Sequence, residues 1–183
     1  MRRAIFGGTF DPIHRAHLVV AREAADAFAL DQVLFIPAAN PPHKAAGADY
    51  EDRFRMVELA CAADPRFVAS RLEEGQEKSY SIHTIERVLA DGGDVFFVIG
   101  ADAFAEIQTW YRWQDVVRSV EFIVVTRPGH QYSSPPEARV HGLETVALPV
   151  SSSEIRAALQ QGQGSEELPE AVADYIREHG LYR

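Results

Sequence analysis

Cys61 is the one cysteine in the 183-residue chain, so no internal disulfide can form. It lies on the apolar side of a helical pattern, where a thiol packs rather than reacts, and redox chemistry has no other support. Long apolar runs are also missing. Met1 to Phe6 carries two arginines and leads directly into a Gly-rich turn, so neither a signal peptide nor a membrane span is expected and the chain reads as soluble and cytoplasmic. Basic residues are in deficit: 18 Lys and Arg face 27 Asp and Glu, a formal charge of −9. A general nucleic-acid binder needs a net basic face to neutralise phosphates, so nucleic acid is not an expected partner. An acidic chain can still bind small anions where its cations and free backbone N–H groups converge. No internal repeat or low-complexity tract interrupts the sequence.

What remains is an ordinary globular composition, 46% hydrophobic and 25% charged, with length for one good core; a single domain over residues 1–183 is expected. Short β-rich runs recur at Arg3 to Phe6, Val33 to Ile36, Phe67 to Ala69, Val95 to Ile99, Phe122 to Thr126 and Thr145 to Leu148. Several are apolar throughout, which suits strands covered on both faces, the condition of a parallel sheet. Helical stripes lie between them: Leu18, Ala21, Ala25 and Phe28; Met56, Leu59, Ala60 and Ala63; Ile82, Ile85 and Leu89. Two more follow near the C-terminus, Ile155 with Ala158 and Leu159, then Val172 with Tyr175 and Ile176, the last stopping at Gly180. Ala38 to Tyr50, Arg127 to Arg139 and Gln160 to Glu167 read as loops. Alternating βα units with right-handed crossovers predict an α/β fold: a doubly wound, mainly parallel sheet flanked by helices, with a small C-terminal helical part and ligands at the carboxyl ends of the strands.

The first such end is Gly7-Gly8-Thr9-Phe10-Asp11-Pro12-Ile13-His14-Arg15-Ala16-His17, with a helical pattern starting near Arg15. A strand, a Gly-rich turn and a helix N-terminus in that order suit phosphate, because glycines let the backbone approach closely while free N–H groups and the helix dipole favour negative charge. His14 and His17, three apart at a helix start, can face one ligand. A P-loop is excluded, since Gly-Lys-Ser/Thr occurs nowhere in the chain. The G-x-G-x-x-G spacing of a dinucleotide fingerprint fails as well. Two close histidines without a third ligand make a poor zinc site, so no metal is expected on protein side chains. An isolated His-x-x-His would be two satisfied surface histidines; the surrounding segment favours phosphate.

Gly-Gly-Thr-Phe-Asp-Pro-Ile-His-x-x-His-Leu resembles the first signature of the nucleotidylyltransferase superfamily, whose histidines contact the phosphates of ATP during transfer. The family usually has Gly between the histidines where this chain has Ala16, whose methyl is expected to narrow the approach to phosphate or adenine. Val150-Ser151-Ser152-Ser153-Glu154-Ile155-Arg156 reads on its own as a well-capped helix start. It resembles the second signature, Ser-Ser-Thr-x-Ile-Arg, with Ser153 for Thr, and the resemblance implies that Ser152 and Arg156 meet the β- and γ-phosphates. Two motifs in the family's order are more specific than either alone. Ile99-Gly100-Ala101-Asp102 closes the most apolar strand; Gly100 permits close approach, and Asp102 either accepts from ribose or caps the next helix. A Rossmann-like fold is implied, with Gly7, Gly8, Thr9, Phe10, His14, His17, Gly100, Asp102, Ser152 and Arg156 about ATP, and His14, His17 and Arg156 catalytic.

Trp110-Tyr111 follows that strand, where a loop aromatic either stacks on a flat heterocycle or joins the core. Asn40-Pro41-Pro42-His43-Lys44, Ser79-Tyr80-Ser81, Thr126-Arg127-Pro128-Gly129, Leu168-Pro169-Glu170 and His179-Gly180-Leu181-Tyr182 are together similar to bacterial nicotinate-mononucleotide adenylyltransferases, over nearly the entire chain. The resemblance implies ATP and nicotinate mononucleotide as substrates, Mg²⁺ carried on the phosphates, and NAD biosynthesis as the setting. It also implies Trp110 against the pyridine ring, Ser81 and the Tyr111 backbone on its carboxylate, and Lys44 either in the positive field or solvated. Ser81 stands for the family's threonine and His83 for an acidic residue; His83 either adds positive charge near the substrate or faces solvent, the second being the simpler expectation. Rival readings are a related transferase acting on nicotinamide mononucleotide or phosphopantetheine, and a non-catalytic nucleotide-binding module. Oligomeric state is not readable.

Overall fold

The computed structural model describes residues 1–39, 47–78, 80–146 and 151–183. Within them the chain runs β1 (Arg2–Gly8), α1 (Arg15–Ala27), β2 (Gln32–Pro37), α2 (Tyr50–Cys61), β3 (Phe67–Ala69), α3 (Ser81–Leu89), β4 (Asp94–Gly100) and α4 (Ala101–Ala105). A 3-10 turn (Ile107–Thr109) precedes α5 (Trp113–Ser119), β5 (Glu121–Thr126), β6 (Arg139–Glu144), α6 (Ser152–Gln160) and α7 (Glu170–His179). The six strands form one sheet in the order β3-β2-β1-β4-β5-β6, and every neighbouring pair is parallel. The expected doubly wound α/β fold is present, with a sheet parallel throughout its described strands.

The apolar strands follow from burial on both faces. Alternate residues of one strand go to opposite sides. Phe6, Phe35, Phe96, Val98 and Ile123 face a core made with α1, α2, α6 and α7, while Ile5, Ile36, Phe97, Ile99 and Phe122 face a second core made with α3, α4 and α5. Cys61 is buried in the first core, and that burial pushes its thiol up to about 12, so it packs as expected. The strand order reverses between β1 and β4, which leaves a crevice beyond their carboxyl ends. Gly7 and Gly8 end one of these strands and Gly100 the other.

Three expectations need correction. The sixth strand is Arg139–Glu144 rather than Thr145 to Leu148: Thr145 and Val146 lie past its end, and residues 147–148 are outside the described set. An edge strand with one covered neighbour needs no apolar run, so Arg-Val-His-Gly-Leu-Glu gave little signal. On α2 the buried face is Phe54, Met56, Val57, Ala60 and Cys61, whereas Leu59 is 39% exposed and Ala63 lies outside the helix. Asp102 does not cap α4; Gly100 is the N-cap, and Asp102 sits exposed in the first turn.

Candidate active site

A cavity of about 550 Å³ opens at the crevice between β1 and β4, a volume suited to a small organic ligand. Gly7, Gly8, His14, Ala16 and His17 line it together with Gly100, Trp110, Ser81, Ser151 and Ser152. A Cβ built on Gly100 would meet nothing within 4 Å, so packing within the protein does not require glycine there.

The turn after β1 is anchored by Phe10, which takes a left-handed φ of 52° and compensates by burying its ring. That ring packs on Phe6 and Phe35 and meets the His17 ring edge-on at 5.1 Å. Phe10 therefore supports the site from the core side and does not line the cavity. α1 then begins without a Ser, Thr, Asp or Asn cap. His14 is its N-cap, and the His14 backbone N–H donates to Nδ1 of His17 at 3.1 Å. In a neutral imidazole an accepting Nδ1 leaves the proton on Nε2, so this bond fixes His17 as an Nε2–H donor.

The two imidazoles stack with centroids 3.9 Å apart, and His14 is only 3% exposed with its Nδ1 buried and unpartnered. Desolvation lowers His14 from 6.5 to about 4, and burial together with the neighbouring His14 lowers His17 to about 3. In the free protein both imidazoles are thus neutral near pH 7 and act as N–H donors, not as standing positive charges. The unfolded chain binds more protons between 6.5 and these values, so the stabilisation held above pH 6.5 is lost as pH falls through about 4 and then about 3.

The second signature docks directly on the first. Ser151 caps α6 by accepting from the Glu154 N–H, and the next hydroxyl, on Ser152, donates to the Pro12 carbonyl at 2.9 Å. Arg156 donates to the Asp11 carbonyl at 2.8 Å and to Ser153 Oγ at 3.2 Å. The α6 start and the β1–α1 turn are therefore one structure, with a cation fixed beside it.

Three residues that the sequence reading did not single out hold this turn. The Asp11 side chain accepts from the Ala48 N–H at 3.0 Å and from the Tyr182 hydroxyl, whose burial raises its pKa. Arg53, 3% exposed on α2, donates to the carbonyls of Thr9 (2.9 Å), Ala38 (2.8 Å) and Ala48 (3.2 Å). Arg53 thus ties the turn to the end of β2 and to the segment before α2. Its sequence signal was an arginine among the apolar residues of a helix face; Asp11 and Tyr182 lay inside quoted motifs with no role attached.

At the other end, Ser81 begins α3, with Thr84 one turn on, and both line the cavity. Trp110 follows the 3-10 turn, half-buried against the Phe97 ring at 5.9 Å. Tyr111 is 50% exposed, outside the cavity lining, its ring 4.5 Å from Tyr80 and 6.0 Å from His83. His83 packs edge-on to both tyrosines instead of standing free in solvent. Thr9, Asp102 and Arg156 also lie outside the lining, although Arg156 binds the turn that forms it. Lys44, with the rest of the Asn40 to His43 motif and Ser79, lies outside the described residues. Among the described residues, no cluster of three or more His, Cys, Asp or Glu side chains could hold a metal ion.

A family model described as cytidylyltransferase-like matches residues 5–158, the span from β1 to the body of α6. A protein of Solibacter usitatus named probable nicotinate-nucleotide adenylyltransferase is 60% identical, with all of both chains covered. The chain belongs to the nicotinate-nucleotide adenylyltransferase family. A Thermus thermophilus member of this adenylyltransferase family is 41% identical, again over the whole of both chains. The fold is also that of the Plasmodium falciparum nicotinic acid mononucleotide adenylyltransferase complexed with NaAD: TM-score 0.81 at 19% identity, covering 99% of this chain and 97% of that one. No described helix is long and apolar enough to cross a membrane.

Proposed function

We propose that the chain transfers the adenylyl group of ATP to the 5′-phosphate of nicotinate mononucleotide, giving the deamido dinucleotide and pyrophosphate, a step in NAD biosynthesis. One observation carries this reading: a single cavity is lined by the histidine pair, the α6 serines, Ser81 and Trp110. The relatives' shared name supports the same substrate. An acceptor phosphate oxygen forms a bond to the α-phosphorus while the bond from that phosphorus to the bridging oxygen breaks, and pyrophosphate leaves with the electron pair. No protein nucleophile is needed, so the work is alignment and charge stabilisation.

In this reading the co-substrate is ATP with Mg²⁺, which would be carried on the phosphates and would supply neutralisation of the charge developing there. Arg156 and the α1 N-terminus provide the standing positive potential. His14 and His17 act as N–H donors, and the arriving triphosphate raises their proton affinity. Lys44 is assigned to the same field from the resemblance alone. The cytoplasm is the assigned compartment.

Pyrophosphate release with ATP plus nicotinate mononucleotide, nicotinamide mononucleotide or phosphopantetheine, each in turn, tests the reading. Release with the nicotinate acceptor is expected. Preference for either other acceptor moves the chain to a neighbouring specificity, and silence with all three makes it a binding module. Trp110→Ala is expected to raise KM for the acceptor about 10-fold or more, the scale of one ring stack, with KM for ATP little changed; a change confined to ATP would reverse the division of the pocket. The imidazole NMR signals of His14 and His17 should stay constant from pH 8 to pH 5 in the free protein. They should move towards the protonated position once a non-hydrolysable ATP analogue is added, and titration of the free rings near pH 6.5 would contradict the burial argument.

A further inference from the structure

Thr84 is 3% exposed, its hydroxyl oxygen is buried without a hydrogen-bond partner, and it lines the cavity with Ser81. A threonine inside a helix usually returns its hydroxyl to a carbonyl three or four residues back. Thr84 does not, although Tyr80 and Ser81 are the residues at those offsets on α3. Leaving a buried hydroxyl unpaired is destabilising, so its presence asks for a partner that the protein itself does not supply.

The surroundings define that partner. Ser81 and Thr84 are three apart and share one side of α3. The N-cap, Tyr80, makes no side-chain capping bond, and the first turn holds no acidic residue, so the positive end of the α3 dipole is uncompensated by the helix itself. Trp110 lines the same cavity, offering a ring face to a flat group. Glu73 also lines the cavity and is engaged in contacts of its own. A planar ring bearing an anionic acceptor group satisfies all these features at once. The two χ1 wells open to a helical threonine exchange its hydroxyl and methyl, so one rotamer step carries the hydroxyl to the cavity surface.

We propose that Thr84 is a specificity-determining residue whose hydroxyl, together with that of Ser81, donates to the ring carboxylate of the acceptor nucleotide. This rests on the nicotinate reading above. Two donors on one helix face match the two oxygens of a carboxylate, whereas a carboxamide presents only one accepting oxygen. Thr84 therefore contributes to preference for the acid as well as to affinity.

Thr84→Val keeps the shape and removes the hydroxyl, and Thr84→Ser restores it. With full-length protein, Thr84→Val is expected to lower kcat/KM for nicotinate mononucleotide about 10-fold or more, the scale of a hydrogen bond to a charged group. KM for ATP and the unfolding temperature should be unchanged or improved. The ratio of acid to amide turnover should fall, and Thr84→Ser should stay within about 3-fold of the parent by keeping the same hydrogen bond. Unchanged acceptor kinetics and an unchanged ratio in Thr84→Val overturn the proposal, as does an equal loss for both substrates accompanied by lower stability. Absence of nicotinate turnover in the parent chain overturns the functional reading instead, so the two failures are told apart.

Discussion

His14→Ala is expected to lower kcat for adenylyl transfer by about 100-fold or more, the scale of removing one transition-state donor, with a much smaller change in KM for ATP. The imidazole lies at the α1 N-terminus, where backbone N–H groups and the helix dipole already attract phosphate in the ground state. Ground-state binding therefore has other support, while the donor is needed most as charge moves onto the leaving pyrophosphate. His14 is also the cleaner of the two histidines to remove, because His17 Nδ1 caps the His14 N–H and its loss would disturb the helix start as well. His14→Asn controls for the cavity left by truncation. Steady-state kinetics beside a thermal melt decide the point: kcat within about 3-fold of the parent, against the factor expected for a lost donor, would remove His14 from the chemistry.

Much of this arrangement was legible in the sequence, and the reasons differ by element. Central strands declared themselves because burial on both faces forces continuous apolar runs, as in Val95 to Ile99. The β1–α1 turn was readable because its chemistry is local: glycines, histidines and a helix start lie within one short segment. β6 was misplaced because an edge strand is covered on fewer sides and carries a mixed pattern. The protonation of the histidines was not legible because it depends on what packs around them. Phe6 and Phe10 come from the same part of the chain, but their burial is completed by Phe35 and the rest of the core. Thr84 showed no sequence signal at all, since an unpaired hydroxyl is defined by which groups surround it in space and whether any of them bonds to it. The same holds for the group around Asp11, which joins residues from the beginning, the first third and the last turn of the chain.

That group carries the second large effect, at Gly47. A Cβ placed there would lie 1.8 Å from Asp11 Oδ2 and 2.7 Å from its Cγ, far inside any allowed contact. The carboxylate has little freedom to withdraw, because Ala48 N–H and the Tyr182 hydroxyl hold it while Arg156 holds the carbonyl of the same residue. Gly47→Ala must therefore displace either the segment before α2 or the β1–α1 turn. Overpacking of this kind costs about 1–3 kcal/mol, and a fall of roughly 2–10 °C in unfolding temperature is expected for a chain of this length. If the turn is what moves, a shift of about 1 Å at the phosphates lowers kcat/KM on the order of 100-fold. Asp11→Ala removes the atoms that clash, at the expense of its own bonds, so a double-mutant cycle separates the two causes. Adding Gly47→Ala in the Asp11→Ala background should cost far less than it does in the parent. Equal costs in the two backgrounds would mean that Gly47 is needed for some reason other than the approach of Asp11, and the carboxylate would then not be the fixed point from which the β1–α1 turn is held.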